Sequence, residues 1–227
     1  MNDSILENED IESGKIMIKI RKRMYFFSKR LIDVLAGIVG IILLIPITIV
    51  IKIISICSGD FKSIFFTQER IGINGKPIKI FKYRSMIPNA EDVLEVLMRK
   101  DPKIKEEYLT NKKLENDPRI TKIGKFIRRY SIDELPQLIN VLIGNMTLVG
   151  PRPYLPREKE DMGKYYDYVI TCKPGLTGLW QVSGRSDISF KHRLKLDKKY
   201  AEERCFKFDT KILFQTFSAV IGKKGAK

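Results

Sequence analysis

The chain has 227 residues, enough to bury one sizeable core, so a single domain with a short appendage is expected and two full domains are not. Its 42 Lys and Arg against 27 Asp and Glu give a formal charge of +15, which suits anionic partners such as nucleic acid, anionic lipid or phosphorylated small molecules. His192 is the only histidine, and Cys57, Cys172 and Cys205 are far apart and lack metal-ligand spacing, so His-dependent triads and His-rich metal sites are excluded, the cysteines read as reduced thiols of a cytosol-facing protein, and the chemistry falls to carboxylates, cations and a hard metal.

Asp3, Glu7, Glu9, Asp10 and Glu12 sit among few apolar residues, the composition of a mobile acidic tail over residues 1–18. The sign then reverses. Lys19, Arg21, Lys22, Arg23, Lys29 and Arg30 precede an uncharged run from Val34 to Ile51, as juxtamembrane cations do on an anionic leaflet. A helix over that run makes roughly 27 Å of apolar rod, near the lower limit for crossing a bilayer. A cleaved signal peptide fits less well, because no small-residue cleavage site follows and Lys52 interrupts what comes next. A buried core helix would need more cover than a small basic protein supplies. Pro46 lacks a backbone donor and its ring clashes with the Ile42 carbonyl, so a kink or break is expected there, with the Thr48 hydroxyl a partner for the freed carbonyl. The residues alone leave open both a crossing helix and a re-entrant hairpin that enters and leaves by one face.

After Gly59, two β-like runs, SIFFTQERIG and PIKIFKYRSM, flank Asn74-Gly75, a strong hairpin signal. Residues from about 90 to 114 read as one charged amphipathic helix with Leu94, Leu97 and Met98 on its apolar face, followed by a turn at Asn116-Asp117-Pro118. ITKIGKFIRR places Ile120, Ile123, Phe126 and Ile127 on one side and cations on the other, the pattern of a helix in a membrane interface and equally of a plain surface helix.

SIDELPQLINVLIGNMTLVGPRP, residues 131–153, carries the most information. Leu135, Leu138, Ile139 and Leu142 mark one helical face ended by Gly144-Asn145. Pro136 suits the first helical position, which puts Asp133 and Glu134 at the positive end of that helix, where carboxylates stay ionised and phosphate is welcome. On this segment alone, a capping box between Ser131 and Glu134, with Asp133 compensating the dipole, explains the pair at least as well. Farther on, Gly150 to Pro153 forms a rigid turn presenting Arg152, and GLTGLWQVSGR supplies two glycine turns, Trp180 and Arg185. Trp180 reads equally as core, interfacial anchor or sugar platform, and His192, between Lys191 and Arg193, as a surface group.

Taken together, KRLID (Lys29 to Asp33), FFTQERIG, IFKYRSM, SIDELPQLINVLIGNMTLVGPRP, KPGLTGLWQVSGR, LDKKY and FDTKI, in order, resemble the bacterial sugar transferase family, the monotopic polyprenyl-phosphate phosphoglycosyl transferases, from about Lys29 to Ile221. The resemblance implies a mainly α fold with a small β-hairpin, in which amphipathic interfacial helices surround a compact catalytic domain. It also implies a re-entrant N-terminal membrane helix broken at Pro46. The expected layout is the acidic tail at 1–18, a basic segment and membrane helix at 19–58, and a cytosol-facing transferase domain at 59–227. It further implies Asp133 as nucleophile and Glu134 as a ligand of Mg²⁺, phosphate contacts from Arg152 and Arg185 within a substrate-binding set that includes Pro151 and Pro153, and weaker contacts from Arg84 and Arg128. Lys29, Arg30 and Asp33 match the family's motif at the mouth of the membrane helix, Asp33 pairing with Arg30 or a backbone group. Members commonly break that helix at Ser-Pro, where this chain has Ile45-Pro46.

The activity so implied moves a hexose 1-phosphate from a UDP-sugar onto polyprenyl (undecaprenyl) phosphate through a phosphosugar on Asp133. It belongs at the cytosolic face of the bacterial inner membrane, as the first membrane step of glycan or exopolysaccharide assembly. GLWQVSGR favours UDP-glucose or UDP-galactose over N-acetylated or diamino sugars. The expected partners are that donor, that acceptor and membrane lipid, with no nucleic acid and with a homodimer left open. Large members of the family carry an extra multi-span N-terminal region, and the resemblance implies a short, self-sufficient form here. A basic nucleic-acid-binding protein or an assembly scaffold is the alternative from another class, but neither aromatic-interleaved basic patches nor a reader fold is present.

Overall fold

The computed structural model describes residues 3–112, 114–184 and 188–221. Helix α1 (Asp3–Cys57) is followed by strands β1 (Phe65–Ile71) and β2 (Pro77–Tyr83), then α2 (Ala90–Lys100), α3 (Pro102–Asn111), α4 (Lys122–Arg129) and α5 (Gln137–Ile143). Strand β3 (Thr147–Val149) leads through α6 (Lys159–Met162) and α7 (Tyr166–Val169) to β4 (Gly175–Thr177), and α8 (Leu179–Val182), α9 (Phe190–Glu203) and α10 (Phe206–Ile221) close the chain. The fold is mainly helical with a small antiparallel hairpin, as expected.

The hairpin forms where Asn74 (φ 56) and Gly75 (φ 74) take the left-handed backbone the turn requires, and Phe65 lies opposite Tyr83 in the register. The single helix expected over residues 90–114 is two. Pro102 cannot continue α2, so Asp101 ends it and caps α3, its carboxylate accepting from the Lys103 N–H at 2.8 Å. In α4, Ile127 is buried and Ile123 packs beside it, whereas Phe126 turns outward against Tyr130.

Helix α5 is the hub, touching α1, β2, β3 and β4. Its Asn140, fully buried, behaves like a piece of strand: Oδ1 accepts from the Phe81 N–H at 2.9 Å and Nδ2 donates to the Lys79 carbonyl at 2.7 Å, pairing the free edge of β2. On the other side, α1 crosses α5 where Gly37 and Gly40 leave room; a Cβ on Gly40 would lie 2.6 Å from Leu138 Cδ1.

Helix α1 is one element through Pro46, so the break expected there is absent. Thr48 does not serve the Ile42 carbonyl either: its hydroxyl donates to the Leu44 carbonyl at 2.7 Å and meets the Tyr83 hydroxyl. Leu44 and Ile51 enter a core with Ile64, Tyr83 and Ile127, while Leu35, Ile38, Ile42, Ile45, Ile49 and Ile53 are exposed along the opposite side. This helix is long and apolar enough to cross a membrane.

Strands β3 and β4 are parallel, a pairing that three-residue strands give no periodic signal for. Glycines make it fit: a Cβ on Gly175 would stand 2.1 Å from the Gly150 nitrogen, and one on Gly178 2.2 Å from the Gly150 carbonyl oxygen.

Candidate active site

Ser131 adopts a left-handed backbone (φ 56), and Ile132–Glu134 form a 3-10 turn that runs through Leu135 and Pro136 into α5. Pro136 stands immediately before the helix, where its missing donor is harmless, so the carboxylate pair lies at the helix's positive end as its sequence suggests. The capping box does not form: Ser131 makes no capping bond, and Glu134 Oε1 accepts from Lys82 Nζ at 2.8 Å.

The two neighbouring carboxyls are driven apart. Burial pushes Asp133 up to about 6, the Glu134 charge adding to it and Lys82 and Arg128 opposing. Burial would raise Glu134 as well, but the Lys82 ammonium, followed by Arg152 and Arg70, outweighs it and holds that carboxyl at about 2. One group is thus a fixed anion and the other a basic carboxylate poised below neutrality, a separation typical of groups with distinct chemical roles.

Both line a broad cleft of about 1710 Å³ with Lys82, Arg84, Arg128 and Arg152. The guanidinium of Arg152 lies 5.3 Å from the centre of the Trp180 ring, and its backbone N–H donates to the buried Asp197 carboxylate at 3.2 Å. Asp197 also accepts from the Tyr154 hydroxyl at 2.7 Å, and burial pushes its carboxyl up to about 7 against those bonds and the Arg152 charge. The flanking prolines work through their carbonyls: Pro151 accepts from the Gly175 N–H at 2.8 Å and Pro153 from Arg70 at 2.9 Å. Arg128 Nε donates to the Ser85 hydroxyl at 2.8 Å. Arg84 lines the cleft wall but is committed to Asp60, at 2.8 Å, and to the Ser63 carbonyl. Arg185 lies outside the described residues.

The Lys29, Arg30 and Asp33 motif fastens α1 to the site's supports. Lys29 reaches Asp209 and donates to the Val149 carbonyl at 2.8 Å. Arg30 donates to the Val141 and Leu142 carbonyls at 2.7 and 2.8 Å, capping the far end of α5. Asp33, 4% exposed, accepts from the Leu148 N–H at 2.9 Å and the Thr147 hydroxyl at 3.1 Å, so it pairs with a backbone group, as one expectation had it, and with a side-chain hydroxyl, and not with Arg30. His192 is exposed, as expected.

Sequence reasoning passed over Lys82, Arg70 and Asp197. Lys82 had a legible signal: it follows Ile78 and the fully buried Ile80 on one face of β2, and a lysine on an inward face needs an anion. Arg70 and Asp197 are buried through contacts with the Gly150–Pro153 turn, which no local pattern announces.

The pattern described as "Bacterial sugar transferase" matches residues 24–223. A protein of Erwinia amylovora described as a UDP-galactose-lipid carrier transferase is 42% identical over 221 residues, covering 95% of this chain and 46% of that protein. An undecaprenyl-phosphate galactose phosphotransferase of Salmonella typhimurium is 39% identical over 225 residues, covering 98% of this chain and 46% of its own length. The exopolysaccharide production protein ExoY of Sinorhizobium fredii is 40% identical over 200 residues, 88% of each chain. This chain spans about half the length of the first two relatives and most of the third. With the matched region running from before Lys29 to beyond α10, and enclosing both the carboxylate pair and its supports, the chain belongs to the bacterial sugar transferase family.

Proposed function

We propose that this protein transfers a hexose 1-phosphate, galactose or glucose foremost, from a UDP-sugar to polyprenyl phosphate, releasing UMP. The observation that carries this reading is a basic carboxylate, Asp133, set beside a permanently anionic one in a cleft lined with cations. The names of the Erwinia and Salmonella relatives support a galactose donor and a lipid acceptor.

An Asp133 oxygen attacks the sugar-bearing phosphorus, and the bond from that phosphorus to the UMP oxygen breaks, leaving an acyl phosphate on Asp133. A phosphate oxygen of the polyprenyl acceptor then attacks the same phosphorus, giving the polyprenyl diphosphate sugar and restoring the carboxylate. Arg152 and Arg128 stand in the cleft to bind phosphate oxygens, and Lys82 keeps Glu134 ionised and in place.

Among the described residues no group of three His, Cys, Asp or Glu side chains is disposed to hold a metal. A site of one or two carboxylates completed by water and diphosphate oxygens is nevertheless what Mg²⁺ uses, so Glu134, with Asp133 beside it, fits that ion. When bound, it would neutralise diphosphate charge as UMP departs.

The same reading places α1 at the inner membrane without crossing it, its exposed apolar side in lipid and the catalytic part at the cytosolic face. Support comes from α1 packing on the rest of the molecule from Lys29 to Ser55, which a straight crossing would strip away or drag into lipid. Cations at both ends of the apolar stretch, Arg30 and Lys52, agree with one-sided insertion.

The test is UMP release by detergent-solubilised protein given a panel of UDP-sugars, polyprenyl phosphate and Mg²⁺. Asp133→Asn should abolish release while leaving membrane association intact, and wild-type protein without acceptor should gain the mass of a phosphosugar. Wild-type UMP release by Asp133→Asn would refute the covalent route.

A further inference from the structure

Among the described residues, five buried side-chain polar atoms have no hydrogen-bond partner. Four of them, Arg70 Nε, Gln137 Nε2, Trp180 Nε1 and Gln181 Oε1, belong to residues lining one recess of about 20 Å³. Buried groups left unpaired are rare and costly, and four around a single small space are not explained by packing. The recess opens from the catalytic cleft, sharing Lys82, Glu134 and Arg152 with it, and its volume suits one oxygen atom.

The side chains there are held in place. Gln181 Nε2 donates to the Leu176 carbonyl at 3.3 Å, which fixes the orientation of the amide and leaves Oε1 over as an acceptor. The guanidiniums of Arg152 and Arg193 lie 5.3 and 5.5 Å from the centre of the Trp180 ring, and the ring itself is buried. Gln137, 2% exposed, is the first residue of α5 and follows the catalytic turn directly.

We infer that this recess is a socket for one hydroxyl of the donor sugar, with Gln137, Trp180 and Gln181 as specificity-determining residues; the inference rests on the transferase reading above. The chemistry selects a hydroxyl. Three N–H donors need an acceptor and Gln181 Oε1 needs a donor; a hydroxyl accepts from two of the three and donates to Gln181. A phosphate oxygen would meet cations in Arg70, Lys82 and Arg152, but it accepts only, and so leaves Gln181 Oε1 unpaired. A site built to pair a hydroxyl penalises an analogue lacking it, because its own buried groups are then left unpaired.

The experiment measures kcat/KM for UMP release from the preferred UDP-hexose and its 2-, 3-, 4- and 6-deoxy analogues, with wild type, Trp180→Phe and Gln137→Met. Trp180→Phe keeps an aromatic ring for both guanidiniums and removes the N–H together with part of the indole. Wild type should lose about 10- to 100-fold on one of the four analogues, and that loss should shrink to about threefold or less in at least one variant. Circular dichroism of the detergent-solubilised variants separates misfolding from lost discrimination, and should either variant fail to fold, the other carries the comparison. The inference is overturned if wild type treats all four analogues within threefold of the parent, which would mean that an ordered water fills the recess. It is equally overturned if every folded variant keeps the full penalty. No UMP from any UDP-hexose would instead overturn the transferase reading, and this inference with it.

Discussion

Lowering the pH should disable the first half of the reaction well above the range where an ordinary aspartate titrates. With Asp133 titrating at about 6, about nine-tenths of the protein carries an ionised nucleophile at pH 7 and about one-tenth at pH 5. The rate of UMP formation should therefore fall about tenfold between those values. A carboxyl at the ordinary 3.8 would still be more than about nine-tenths ionised at pH 5, and the rate would barely move. The assay is rapid-quench UMP release with UDP-sugar well below its KM, which reports the free protein's titration, and no acceptor, which removes the acceptor's own phosphate titration. Glu134 stays anionic across the window, since Lys82 and the neighbouring arginines hold it at about 2. A flat rate from pH 7 to pH 5 would show that Asp133 is not a buried, charge-crowded carboxylate, and the electrostatic account of the site would fail.

The folded Asp133 carboxyl binds its proton more tightly than the unfolded one, so the stability it contributes is present below 3.8 and lost as pH rises through about 6. Asp133→Asn should accordingly be more stable than wild type at pH 7 by about 1–3 kcal/mol, the difference closing by about pH 4 in thermal denaturation. Lys82→Met removes the cation that opposes the rise of Asp133, so the acidic limb of the UMP rate should move to higher pH; a limb at or below the wild-type position would contradict the pairing. Asp33→Ala strands the Leu148 N–H and the Thr147 hydroxyl in a buried site and should lower stability by about 2–4 kcal/mol. Gly40→Val drives a side chain into Leu138 and should cost about 1–3 kcal/mol, whereas Ile38→Val on the exposed side should be nearly neutral in the same melt.

Much of this architecture is legible where a residue's local preference and its tertiary setting agree. Asn74-Gly75 turns the hairpin because few other pairs accept two positive φ angles, and Leu135, Leu138 and Leu142 recur at helical spacing because one face of α5 is covered. The signal weakens where distant groups decide. Asp133 and Glu134 read as a helix cap until Lys82, arriving from the hairpin, claims the glutamate. Pro46 looks like a break by its chemistry, yet packing on both sides of it, through Leu44, Thr48 and Ile51, keeps α1 as one element. Pro102 is the reverse case: the charged amphipathic pattern ran across it, and the proline ended the helix.

Helix α5 has seven residues, an axial rise of about 10 Å, with the catalytic turn at one end and Arg30 gripping the carbonyls at the other. Ile132 and Leu135, on either side of the carboxylate pair, pack on the core that holds Leu44 and Ile51 of α1, so the pair is set directly beside the apolar helix. On the proposed reading a lipid-borne phosphate is confined to one height above the hydrocarbon, and a carboxylate pair fixed to the membrane helix turns a search in three dimensions into one along a plane. Lengthening α5 by a full turn would put the Arg30 grip at one end and the Ile132 and Leu135 packing at the other out of step along α1.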